Sequence, residues 1–207
     1  MPGASTPPQA AWRACNRRPG WATQPSVGVW LRFSGYADQL NAAVGRICAW
    51  LTLLMTGLGA LNAVVRYLGR FAGENLSSNA YIELQWYLFS AVFLLGAGDA
   101  LREDAHVRVD VLYSRFSPKL RDVIDLAGTL LFLLPFSCFA IAVSLPAISN
   151  SLAVLETSPD PGGLPRYPIK LLIPVCFGLL IVQGLAHALR TVLRLSGRVP
   201  SAPREPS

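Results

Sequence analysis

The chain has 207 residues, of which 52% are hydrophobic and only 14% charged. Soluble domains carry about 25% charged residues, so an ordinary soluble fold is excluded. The net charge of +6 has to be placed at a membrane face, because the basic residues are spread along the edges of apolar runs. That spread makes no patch of the kind nucleic acid requires.

In chain order, the N-terminal residues are rich in Pro, Gly, Ala, Ser and Arg and lack an apolar run of signal-peptide type. Residues 1–40 are therefore expected to form a disordered cytoplasmic tail, with only a weak amphipathic signal over 27–33. Between Arg46 and Arg66 lie nineteen uncharged residues, which predict a first span near 45–66. Residues 84–98, between Glu83 and Asp99, form the middle of a second span near 80–101. Ser117-Pro118 reads as an N-cap followed by Pro at the first helical position. It opens a third span near 122–147. The uncharged run there continues for thirty residues after Asp125, more than one crossing needs. Its end, 146–155, is expected to run on at the interface, or else the helix tilts. Residues 171–189, between Lys170 and Arg190, give a fourth span near 168–192. Residues 196–207 read as a flexible cytoplasmic C-terminal tail. A hydrocarbon core of about 30 Å takes about 20 helical residues, and four runs reach that length.

The fold class expected is all-α: a polytopic membrane protein with four transmembrane helices. Of the 18 Lys and Arg residues, 14 fall in the N-terminal segment, the second loop and the C-terminal segment. Basic excess marks the cytoplasmic side, so both termini are expected there. Tyr67, Tyr81, Trp86, Tyr87 and Tyr167 then sit at the outer boundary.

Cys48, Cys138 and Cys176 fall inside spans, where a small buried apolar role is expected. No Cys-x-x-Cys pair and no zinc-type His spacing occurs, so no metal, cofactor or enzymatic activity is expected. An ionisable group inside a span is costly and points to function. Here Glu83, Asp99 and His187 all lie near span ends, and none falls near a midplane. A transport pathway needs polar groups at the midplane, often on broken helices. The pattern suits a scaffold for another membrane subunit better than a pore.

Two segments carry the interaction signal. Glu83, Trp86, Tyr87 and Ser90 share one helix face, and Gly96 and Gly98 permit close helix approach. Glu83 either snorkels outward or meets a partner such as Arg66, Arg70 or a group on another subunit. After the second span, Arg102 is expected to pair only loosely with its acidic neighbours. From His106 onward polar and apolar residues alternate: extended, the strip puts His106, Arg108 and Asp110 on one side and Val107, Val109 and Val111 on the other.

The run from Glu83-Leu84-Gln85-Trp86-Tyr87 through Leu95-Gly96-Ala97 to His106-Val107-Arg108-Val109-Asp110 resembles the small membrane subunit of tripartite ATP-independent periplasmic (TRAP) transporters, the DctQ-type family. Asn62-Ala63-Val64-Val65-Arg66-Tyr67 is similar too, as are Glu156-Thr157-Ser158 and Gly163-Leu164-Pro165 in the third loop. The resemblance covers roughly 40–195, a DctQ-like membrane domain expected over 41–195. It implies a multi-pass protein of the bacterial inner membrane. Its partners would be a large membrane subunit, which carries the substrate and ion sites, and a periplasmic solute-binding protein, which delivers a solute such as an organic acid anion. On this reading Glu83, Trp86, Arg102, His106, Arg108 and Asp110 are candidates for subunit interaction, and Glu156 and Arg166 for periplasmic docking. Two alternatives stay open: a haem-binding anchor of a redox complex using His106 and His187, and the small subunit of a tripartite tricarboxylate transporter.

Overall fold

In a computed structural model, the structure describes residues 25–72, 78–103 and 116–197. Four helices account for almost all of them: α1 (Pro25–Ala72), α2 (Asn79–Arg102), α3 (Pro118–Ala153) and α4 (Tyr167–Leu195). All four are long and apolar enough to cross a membrane. The protein is therefore an all-α, multi-pass membrane protein, as its charge-free runs require.

The ends follow local chemistry. Ser78 caps α2, its hydroxyl accepting the Ala80 N–H at 3.3 Å. Ser117 caps α3 by accepting the Leu120 N–H, and Pro118 takes the first helical position as expected. Pro168 stands at the second position of α4, still within the first turn, where its missing N–H costs nothing. At the end of α4, Gly197 adopts φ 69° and closes the last turn.

Two elements are longer than the sequence suggests. The tail expected over 1–40 is helical from Pro25, continuous with the first span. Its small residues serve packing: Ser34, Ala37 and Asn41 fall on one face and are buried. The same composition that reads as disorder lets α1 approach α4 closely. At 1.5 Å per residue α1 is about 72 Å long, so it extends well past an apolar core of about 30 Å. The third uncharged run likewise stays helical to Ala153, with Pro146 inside it. It contains one π-helical turn, Thr129–Leu133, just before Pro135. Proline has no N–H to give and its ring crowds the carbonyl four residues back, and the wider turn accommodates both.

α4 is the hub. α1, α2 and α3 each pack on it, while α1 also pairs along α2. Cys176, Leu179, Gln183, Gly184, Ala186, Ala188, Thr191 and Leu193 of α4 are buried, a larger set than any other helix provides among the described residues. The π turn of α3 sits on Gly184, where a Cβ would come within 2.6 Å of Leu133. Gly98 of α2 lies against Asn41 of α1, where a Cβ would be 2.1 Å from the amide oxygen. Cys48 and Cys176 are buried as expected, but Cys138 is exposed on the outward face of α3.

Candidate functional site

Two polar clusters fasten opposite ends of the bundle. At the end where α1 begins and α4 finishes, Arg190 grips Asp38 with two hydrogen bonds of 2.8 Å. Gln183, 1% exposed, donates to Asp38 at 2.9 Å and accepts from the Asn41 amide at 2.9 Å. Asn41 also donates to the Ala37 carbonyl. A buried amide must place both its donor and its acceptor, and Gln183 places each. Nearby, Arg102 pairs with Asp99 and with Glu103, each at 2.7 Å. That pairing is closer than the loose one expected: Arg102 closes α2 within reach of both acids, and its fork can serve them together.

The other end carries the α3–α4 loop. α3 finishes with Leu155 in the left-handed region, φ 45°. The Glu156 N–H returns to the Ser151 carbonyl and the Leu155 N–H to that of Leu152, a Schellman closure normally built on glycine. Thr157 then bridges Pro165 in antiparallel fashion, with Ser158 N–H bonded to Leu164 O and Arg166 N–H to Glu156 O. Gly162 takes φ 74° at the tip.

Glu83 pins this hairpin to α2. Its carboxylate accepts the Leu164 N–H at 2.6 Å and the Ser158 hydroxyl. Tyr87 adds a longer bond from its hydroxyl to Leu164 O. The partner of Glu83 is thus the third loop of its own chain, not the Arg66 or Arg70 considered from sequence. The reason is directional: a loop N–H and a hydroxyl converge on one carboxylate, which sequence spacing does not reveal. Glu156 makes a second pin, accepting from the Ser151 hydroxyl at 2.6 Å and from the Lys170 ammonium. The Lys170 bond first, then that of Ser151, holds the Glu156 carboxyl below its ordinary range.

Between α2, the loop and the start of α4 lies a cavity of about 450 Å³. The predicted face of Glu83, Trp86, Tyr87 and Ser90 lines it, together with Arg166. Trp86 is 70% exposed, unlike the partly buried Tyr87 beside it.

The structure thus brings together Glu83, Trp86, Glu156 and Arg166 at one end and puts Arg102 at the other. His106, Arg108 and Asp110 lie outside the described residues, and with them one of the two histidines of the haem alternative. The sequence reading missed Asp38, Asn41 and Gln183. Asp38 and Asn41 sat in a stretch read as tail and span edge, and Gln183 was an isolated amide in an apolar run. Among the described residues no group of three or more His, Cys, Asp or Glu could hold a metal.

Residues 55–194 match the family model of "Tripartite ATP-independent periplasmic transporters, DctQ component". No curated protein and no solved structure matches the chain. The match spans most of the chain, begins inside α1 and ends one residue short of the end of α4, so it takes in the α2–loop–α4 cluster and all of α2 and α3. The chain belongs to the DctQ family, the small membrane component of TRAP transporters.

Proposed function

We propose that this chain is the scaffold that holds the large membrane subunit of a TRAP transporter in the bacterial inner membrane. The complex would perform cation-coupled uptake of a solute, an organic acid anion, delivered by a periplasmic binding protein. One observation carries the reading. The polar side chains between α1 and α4 bond to one another: Gln183 to Asp38 and Asn41, and Arg190 to Asp38. Such groups hold helices together and offer no path for an ion or solute.

What remains on the outside is apolar. Phe132, Phe136, Phe139 and Val143 form an exposed ridge on α3, and Trp50, Leu53, Leu54 and Leu61 another on α1. Large exposed apolar surface on helices of a multi-pass protein suits lipid and a partner's helices alike. On this reading both termini are cytoplasmic, by the basic excess. The α3–α4 loop is then periplasmic, and its pinned hairpin is a firm platform for the binding protein near Glu156 and Arg166. The Arg102 end and the strip with His106, Arg108 and Asp110 face the cytoplasmic side of the large subunit, while Glu83 and Trp86 lie toward the periplasm.

The test is reconstitution. The large subunit and this chain should purify as one complex, and omission of this chain should abolish sodium-driven uptake in proteoliposomes. Full uptake by the large subunit with its binding protein alone would overturn the proposal. Within the complex, Arg108→Glu should lower assembly yield more than Arg198→Glu, since Arg108 lies in the short connection between spans. Equal yields would remove that strip from the interface.

A further inference from the structure

The cavity between α2 and α4 is lined by charged and apolar side chains together. At the loop end it presents charges of both signs, Arg166 and Lys170 against Asp160 and Glu83. Ile82 and Ile169 supply an apolar wall beside those charges, and Trp86 continues it about one turn deeper along α2. From Glu83 to Ser90 the lining descends α2 by about 10 Å, at 1.5 Å per residue, into the apolar stretch. A soluble partner's side chain would meet only the loop end. A molecule that fills the whole cavity must carry both charged and apolar groups.

The charges narrow the polar end. Lys170 is bonded to Glu156, and Glu83 already accepts two donors from the loop. Arg166 is exposed and reaches Glu83 and Glu156 only as a through-space charge. Asp160 is an exposed carboxylate on the hairpin, its backbone carbonyl engaged by Gly163 N–H. A purely anionic headgroup would meet Asp160 and Glu83 unfavourably, and a purely cationic one would meet Arg166. A zwitterion meets neither problem.

We propose that this cavity is a binding site for a phospholipid with an ethanolamine headgroup. The phosphate sits against the Arg166 guanidinium, the primary ammonium donates to the Asp160 carboxylate, and the glycerol and upper acyl chain lie along Ile82, Trp86 and Ile169. Arginine suits phosphate because its fork matches the phosphate oxygens in pairs. The ammonium donates true hydrogen bonds, which a choline headgroup cannot. The site is independent of the scaffold reading, since it needs only this chain in a membrane.

The experiment is native mass spectrometry of the full chain, released from detergent and titrated with dioleoyl phosphatidylethanolamine, phosphatidylglycerol or phosphatidylcholine. One ethanolamine lipid per chain should be retained at about tenfold lower concentration than either other lipid, the value of one charge-assisted hydrogen bond. Asp160→Asn should bring ethanolamine lipid down to the level of choline lipid. Arg166→Gln should abolish retention of the single lipid, and Arg46→Gln, at the opposite end, should leave it intact. Both test residues are exposed, and far-UV circular dichroism should show unchanged helix content. Equal retention of the three lipids, or retention unaffected by Asp160→Asn and Arg166→Gln, would overturn the proposal. Binding of lipid by a chain that fails to support the large subunit would leave this site standing and remove the scaffold reading alone.

Discussion

At one end of the bundle, Gln183 and Arg190 of α4 reach Asp38 and Asn41 of α1, side chain to side chain between two helices. At the other, Glu83 and Glu156 hold a hairpin, and half of their partners are loop groups. The first cluster fixes how two helices sit. The second fixes how a loop sits on helices that already have their places. Removing the first should cost global stability. Removing the second should free a surface and leave the bundle standing. The difference lies in the amides, for Gln183 is 1% and Asn41 0% exposed, while the Arg190–Asp38 and Lys170–Glu156 pairs at the two ends are about equally open to solvent.

The largest expected effect breaks the α1–α4 cluster. Gln183→Leu keeps the volume but loses two interhelical hydrogen bonds, and should lower stability by about 1–3 kcal/mol in mixed-micelle unfolding. An unchanged midpoint would mean that small-residue packing around Ala37 and Ala186 suffices alone.

Glu83→Gln should act locally. It should leave the global midpoint within about 1 kcal/mol while speeding proteolysis within residues 157–165, because pinned loops open without the core. A comparable fall in global stability would erase the contrast between the two ends.

A subtler test uses pH. The Glu156 carboxyl is held below its ordinary value, chiefly by Lys170. Its contribution is therefore complete above the ordinary carboxyl pKa of 4.5 and is lost as pH falls through the lower folded value. Hydrogen exchange at the Arg166 amide, corrected for intrinsic rate, should stay protected down to about pH 4.5 and rise below it. In Glu156→Gln that acid step should vanish, and an identical profile would assign the loop's order to Glu83 alone.

The smallest effect concerns Leu155. A leucine at φ 45° carries strain of about 1 kcal/mol that glycine would not, and its side chain is 64% exposed. Leu155→Gly should leave the melting temperature unchanged or slightly raised, whereas β-branched Leu155→Val should lower it. A clear loss with glycine would show that the exposed leucine itself supports the fold.

Much of the architecture was legible beforehand because hydropathy is a local quantity. Nineteen uncharged residues between Arg46 and Arg66 must cross or be buried, whatever their neighbours do. Ser117-Pro118 marks a helix start through its own hydroxyl and ring. Where the reading fell short, the deciding partner was distant. Residues 25–40 look like tail composition until Ser34 and Ala37 are buried and Asp38 meets α4. Gln183 looks like a stray amide until Asp38 appears beside it, 145 positions away in sequence. The face of Glu83, Trp86, Tyr87 and Ser90 was visible from helical spacing, but not the hairpin that lies on it.

The sequence by itself determined that this is a four-span membrane protein whose ionisable groups keep away from the middle of its spans, since length and polarity are properties of the chain. Only the tertiary structure decided which helix is the hub, which carboxylate pins which loop, and where a cavity opens between α2 and α4. Those outcomes depend on the directions of hydrogen bonds and on the room left by Gly98 and Gly184, which exist only once the helices have packed.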